Sequence, residues 1–255
     1  MTHQITKPPP ADRSLAVRLN RWMMVLSRRY LTFLLTVIFI FAALPVAAPI
    51  LMRVGLTAPA SLIYSAYSPM CHQFAYRSLF LFGEQPVYPR ATVSLPGILS
   101  WEAYLPTVMQ SLGDRLDQSN LAMETNARNF RGTETMGYKV AVCQRDIGIY
   151  WALFFTGLVY SIPRIRRVVR PCPIWLYLLL GLAPIGMDGF SQLFSYLPGF
   201  WVVRETTPAF RFITGVLLGV MTGWLAFPYL EAAARETYQE IAVKFARRSL
   251  RKAAQ

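Results

Sequence analysis

Leu31 to Met52 reads LTFLLTVIFIFAALPVAAPILM, 22 residues without a charge. A helix rises about 1.5 Å per residue and a bilayer core takes about 20 apolar residues, so this stretch is long enough to cross with some tilt. Working outward from it, three more stretches read as spans. Ile147–Ile162 is short but extended toward Cys143 by polar residues suited to headgroup depth. Ile174–Phe194 carries one ionisable residue, Asp188, and Phe212–Leu230 completes the set. Pro59–Phe82 is also apolar, but Cys71, His72, Gln73 and Arg77 interrupt it. It predicts a short interfacial helix and then a turn at Gly83, not a span. Ala42, Ala43, Ala47 and Ala48 offer small residues for signal-peptide cleavage. Signal cores, however, run about 7 to 15 residues after a short charged start, and this one follows a long basic segment.

Composition agrees with a membrane protein. Of 255 residues, 54% are hydrophobic and 15% charged, with mean hydropathy +0.34. Soluble domains are roughly a quarter charged, so soluble, disordered and coiled-coil classes are excluded. The net charge of +13 would suggest nucleic acid in a soluble protein, but its placement argues otherwise. Lys7, Arg13, Arg18, Arg21, Arg28 and Arg29 precede the first span, and Arg164, Arg166, Arg167 and Arg170 join spans two and three. Arg235, Lys244, Arg247, Arg248, Arg251 and Lys252 follow span four. The only acids in these segments are Asp12, Glu231, Glu236 and Glu240. That is the positive-inside pattern. It predicts a multi-pass cell-membrane protein with both termini cytoplasmic, no nucleic-acid partner, and basic segments able to touch anionic lipid.

The expected fold is all-α: a four-helix transmembrane bundle with an interfacial helix and a partly helical extracytoplasmic insertion. Residues 1–30 form a cytoplasmic basic segment, in which Pro8, Pro9 and Pro10 lead to an amphipathic helix near Leu15–Leu26 with Trp22 at the lipid surface. Residues 31–230 form the membrane domain (spans about 31–52, 147–162, 174–194 and 212–230), and 231–255 a basic cytoplasmic tail. The outer insertion is 53–146. Within it Leu99, Trp101, Tyr104, Leu105, Val108, Met109 and Leu112 recur at helical spacing on one side. That face covers its own protein or, through residues 90–138, meets a membrane-protein partner. A second short helix is expected over Asn120–Phe130. Gly215, Gly219 and Gly223 recur every four residues, a stripe that lets helices approach closely in lipid. Gly148, Ala152 and Gly157 of span two are its expected partners. Trp101, Tyr150, Trp151, Trp175 and Trp201 read as interfacial anchors.

Four polar motifs interrupt the apolar text: Cys71-His72-Gln73 with Arg77-Ser78 and Gly83; Cys143-Gln144-Arg145-Asp146 running into Gly148-Ile149-Tyr150; Asp188-Gly189 with Gln192; and Arg204, then Arg211 with Thr214-Gly215 and Gly219. The threading brings all four to one outer depth. Together they resemble a family of small prokaryotic membrane proteins, domain of unknown function 2085, over roughly Pro69–Gly83 and Val142–Gly223. Here about 50 residues, Arg90–Tyr138, separate the first two motifs where family members have a short turn. Many members also carry a further Cys where this chain has Ile147. The resemblance implies a membrane location and no established activity.

Three chemistries remain open for the cluster. Cys71, His72 and Cys143, with a carboxylate from Asp146 or Asp188, suit zinc or a similar transition metal, although adjacent Cys71 and His72 diverge unless the backbone turns. Cys71 and Cys143 are also the two outer thiols and are expected to oxidise to a disulfide, whereas Cys172 is cytoplasmic and free. No Cys-x-x-Cys favours catalytic exchange. Finally, Asp188 is the sole ionisable group within the spans, so an intramembrane enzyme or small carrier would use it. The alternative is an ion pair with Arg145 or Arg211 that locks the bundle, with Arg77 and Arg204 in similar roles. No nucleotide, zinc-protease or serine-triad motif is present. The reading is a binding or accessory membrane protein with a metal-binding or disulfide-stabilised site, and an enzyme or carrier as the alternative.

Overall fold

The computed structural model describes residues 13–119, 122–195, 197 and 204–253. Lys7, Pro8 to Pro10, Asp12, Asn120 and Trp201, singled out above, lie outside them. Among the described residues the chain is mostly helical, and three helices are long and apolar enough to cross a membrane: Leu15–Arg53, Ile174–Ser195 and Pro208–Arg247.

Helix α1, Arg13–Arg53, is interrupted at Arg29, whose backbone leaves helical geometry (φ −112°, ψ 17°). The basic amphipathic helix and the first span are thus two segments meeting at a bend. Pro45 and Pro49 sit inside the second segment, each removing one backbone hydrogen bond. Ala42 and Ala48 are buried there, where small side chains let α1 approach its neighbours.

Helix α2, Thr57–Tyr67, follows a short turn and supplies a short helix before Cys71. Beyond it the all-α expectation needs correction. Strands β1 (Ser78–Leu81), β2 (Gly132–Thr133) and β3 (Gly137–Cys143) form an antiparallel sheet in the order β1-β3-β2. The reason is local and then long-range. Val140 and Val142 are β-branched and Lys139 to Val142 are buried on both faces of the strand, and β1 supplies the partner, pairing Ser78 with Cys143 and Leu81 with Tyr138. A Cβ on Gly83 would lie 2.0 Å from the Met136 carbonyl oxygen, so the turn expected there is one that only glycine permits.

Over the sheet, Tyr88, Trp101, Val108 and Phe130 pack with Tyr76, Phe80 and Met136 into one core. Trp101 is fully buried, so its expected role as an interfacial anchor is wrong. The one-sided helix is α3, Leu105–Leu112, entered through a 3₁₀ turn at Trp101–Tyr104. Its apolar side turns onto this core, while Leu99 and Met109 stay exposed. Helix α4, Ala122–Asn129, is the second short helix.

Helix α5, Gln144–Ser161, starts directly from β3 and is packed between α1 and the last helix. It is not one of the three spanning candidates, because Gln144, Arg145 and Asp146 occupy its first turn. The four-span bundle is to that extent not established by the fold. After α6 (Pro163–Val168) comes α7, Ile174–Ser195, which includes a wide π turn at Tyr177–Leu182. Leu179, Met187, Phe190 and Leu193 of α7 are exposed, as in a helix facing lipid. The last helix, α8, runs unbroken over Pro208–Ala253, so the basic tail is its continuation. Its glycines press on α5: a Cβ on Gly215 would stand 2.2 Å from the Arg145 carbonyl oxygen, and one on Gly219 2.4 Å from that of Ile149. Gly223 faces Thr156 in the same stripe.

Candidate functional site: a thiol and carboxylate cluster beside two ion-pair clamps

The β1–β3 register brings two distant parts of the chain together. Cys143 ends β3 and caps α5, opposite Ser78, while Cys71 closes the turn after α2 through its N–H on Tyr67 O at 3.1 Å. The backbone N–H of Cys143 donates to Cys71 Sγ at 3.3 Å, and Cys143 Sγ donates to Asp146 Oδ2 at 3.1 Å. Both sulfurs and a carboxylate oxygen of Asp146 lie within 4.8 Å of one another. Asp146 stands in the first turn of α5, where the helix N-terminus favours negative charge. A second, side-chain hydrogen bond, with the Cys71 thiol as donor, holds the Cys143 thiol below its ordinary pKa against burial and the charge of Asp146, and the same contact, with burial, pushes Cys71 up. The cluster thus has one acidic and one retained thiol. All three cysteines are free thiols in this structure.

His72 is not in that group. Its side chain is exposed and packs on Phe74 with ring centroids 5.4 Å apart. The two adjacent side chains diverge, Cys71 buried and His72 exposed, just ahead of Gln73 in the left-handed region (φ 56°). His72 stays at the mouth of a cavity of about 180 Å³ that Cys71, Arg77, Cys143, Arg145, Asp146 and Arg211 also line.

Asp188 is likewise not among the clustered donors. Its buried carboxylate is in contact with Arg145, accepts from Thr206 Oγ1 at 2.5 Å, and has Arg204 at 3.6 Å. Arg145 thereby links the thiol cavity to α7. Arg77 and Arg211 go to a second carboxylate, Glu205, which takes Arg77 through two bonds of 2.9 and 3.0 Å and touches Arg211. The Gln192 carboxamide, oriented to suit its neighbours, accepts from Arg211 Nη2 and Thr206 N at 2.7 and 2.8 Å. Glu205 and Thr206 escaped the sequence reading. The available signal was an acid beside Arg204 at the start of an apolar helix, an expensive place for an unpaired carboxylate. Lys139, fully buried in β3, escaped it too.

Chemically, two thiols and a carboxylate offer soft and hard donors at one point. The four arginines around them are already committed to Asp188 and Glu205, so Asp146 and the thiols are left for a ligand or for each other.

Residues 126–225 match the model of the family described as "Predicted membrane protein (DUF2085)". This stretch includes Cys143, Asp146, Asp188, Glu205 and Arg211, whereas Cys71, His72 and Arg77 lie before it. The uncharacterized protein MJ1492 of Methanocaldococcus jannaschii is 32% identical over 93 residues, which are 36% of this chain and 54% of that protein. The chain therefore spans about half the length of that curated relative. No solved structure matches it. The resemblance carried by its polar motifs is thus found over residues 126–225, with the DUF2085 family of predicted membrane proteins.

Proposed function

We propose that the protein is an integral membrane protein that holds a thiophilic divalent cation such as zinc at Cys71, Cys143 and Asp146, on the outer face of the membrane. The observation that carries this reading is the third donor. A disulfide needs two sulfurs only, yet a carboxylate oxygen joins them within 4.8 Å. Zinc takes sulfur at about 2.3 Å and carboxylate oxygen at about 2.0–2.2 Å, so a modest contraction closes three corners of a tetrahedron. The fourth corner is open to the cavity. Three protein ligands and an open position suit a binding or accessory site and leave room for an exchangeable ligand. Asp188 is better read as a structural anchor than as a carrier's proton site, since both of its oxygens are engaged.

Four spans with both termini cytoplasmic remain part of the proposal, with α5 as the fourth. At about 1.5 Å per residue, its 18 residues run alongside α1 and α8 for most of a bilayer core. One further arrangement supports the orientation. Arg166 and Arg235 converge on Glu231, which also accepts from Tyr30 Oη at 2.7 Å, so all three basic segments meet at the end of the bundle away from Cys143.

The test is elemental analysis of detergent-purified protein after zinc loading and dialysis, with thiol counting in parallel. About one zinc per chain, lost in Cys71→Ser and in Cys143→Ser, is expected. Metal-free protein in which Cys71 and Cys143 both react, counted apart from Cys172, overturns the reading. Metal-free protein in which the two thiols appear only after reduction favours a disulfide, for which the observation is the Cys143 N–H on Cys71 Sγ.

A further inference from the structure

On the other side of the Cys71–Gln73 turn lies a second cavity, of about 250 Å³. One wall is the end of α2, Tyr64 and Ser65, with Ser68 just beyond it. The opposite wall carries Arg128 at the end of α4 and Arg131 just beyond it, Arg115 lines it as well, and the buried ammonium of Lys139 is the floor. Among the residues whose side chains are described, none of these four cations is within ion-pair distance of a carboxylate. The other half-buried or buried arginines, Arg77, Arg90, Arg145, Arg166 and Arg211, each have an acid, so the half-buried Arg131 and the buried Lys139 depart from the pattern, while Arg115 and Arg128 are exposed.

The cations are also held in place. Arg128 Nη2 donates to Ser68 Oγ at 2.6 Å, and Arg131 Nη1 donates to Ser61 Oγ at 2.5 Å. The Arg131 guanidinium stacks 5.1 Å from the centre of the Tyr64 ring. Lys139 Nζ donates to the carbonyls of Gln73, Ala127 and Arg128 at 2.7, 3.3 and 2.6 Å. Arg128 and Arg131 are each anchored through one nitrogen, Arg128 Nη2 also reaching Ser68 O at 3.4 Å, and keep the other N–H groups of their planar forks for a ligand. Holding like charges together without a counter-ion is costly, and a bound anion offsets that cost.

We propose that this cavity is a binding site for a phosphate group, which Arg128 and Arg131 grip by paired hydrogen bonds and Lys139 attracts by its charge. Phosphate suits planar forks better than chloride does, because it accepts bidentate bonds. Two sources share the chemistry. α2 begins just after α1 ends at Arg53, which puts the mouth near headgroup level, within reach of a phospholipid, and the cavity volume also admits free phosphate.

The experiment uses the detergent-purified full chain and reads thermal stability in two titrations, sodium phosphate against sodium chloride at equal ionic strength, and monomeric dihexanoyl phosphatidylglycerol. Saturable stabilisation by phosphate alone assigns the site to the free anion. Saturation by the lipid at about tenfold lower concentration than phosphate assigns it to a headgroup. No saturable effect of either overturns the proposal. Arg128→Gln with Arg131→Gln should weaken the effective ligand about tenfold or more, while Arg247→Gln should leave it unchanged. Arg128 is exposed, so Arg128→Gln alone serves if the double variant does not fold. An unchanged midpoint in a folded variant overturns the assignment to these residues.

Discussion

Arg145 and Asp188 meet as an ion pair that joins the first turn of α5 to α7, and the Asp188 side chain is wholly buried in it. The pair is the mechanical link between the thiol cavity and the C-terminal half of α7, because Arg145, two residues beyond Cys143, reaches Asp188. Neutralising a buried partner strands the other charge. Asp188→Asn should therefore lower stability by roughly 3 kcal/mol, read as a drop in melting temperature in detergent. Asp188→Asn with Arg145→Met should recover part of that loss. If the single variant is as stable as the parent but inactive in some assay, Asp188 belongs to the chemistry and not to the frame.

The two thiols should differ in reactivity. Cys143, held below its ordinary pKa by Cys71, has more thiolate at neutral pH, and thiolate is the alkylating form. Iodoacetamide at pH 7 should modify Cys143 well before Cys71, as peptide mass spectrometry would show. Cys71→Ala removes the side-chain donor that favours the Cys143 thiolate, so the pH midpoint of Cys143 alkylation should move upward. Equal rates for the two thiols, or a midpoint that stays put, would contradict the assignment.

How much of this was legible beforehand depends on the range of the signal. The apolar spans are local in the sequence, and charge flanks are additive, so α1, α7 and α8 could be read directly. The bend at Arg29 falls where the basic amphipathic helix gives way to apolar text. The sheet could not be read in the same way. β1 is four residues, Ser-Leu-Phe-Leu, and becomes a strand only by pairing with β3, about sixty residues later. Missing the sheet hid Lys139 and with it the cationic cavity. The motifs do meet, but adjacency was a poor guide within them: Cys71 turns inward while His72 turns out. Glu205 was passed over because an acid at a span boundary looks solvated until Arg77 and Arg211 are seen on both sides of it.

The α5–α8 contact offers a stability test with an internal control. A side chain on Gly215 would drive a Cβ to 2.2 Å from backbone, which cannot move aside. Gly215→Val should cost about 2 kcal/mol or more, whereas Gly186→Ala and Gly189→Ala on α7, with nothing within 4 Å of the added carbon, should be neutral or slightly stabilising. Thermal melts of the three variants in one detergent decide this. If Gly215→Val melts with the parent, the close approach of α5 and α8 is wrong.

Lys139 makes stability depend on pH in a direction that can be worked out. Burial pushes its pKa down to about 7, helped by the like charges of Arg131 and Arg128 and opposed by Cys71. In the unfolded chain the ammonium keeps its ordinary value near 10.5. Between those two values the unfolded state binds more protons, so stability rises with pH across that window. Below about 7 the buried charge is carried in full and the cost is constant. The difference in melting temperature between the parent and Lys139→Met should accordingly shift in the parent's favour as pH rises from 7 toward 10. The hydrogen bonds from Nζ to the carbonyls of Gln73, Ala127 and Arg128 weaken when the amine loses its charge, which limits the gain but does not reverse its sign. A difference that stays flat with pH would mean that Lys139 keeps its proton throughout, held by a counter-charge in the cavity. Adding phosphate to the same titration should flatten the slope, since a bound anion raises the Lys139 pKa toward its unfolded value.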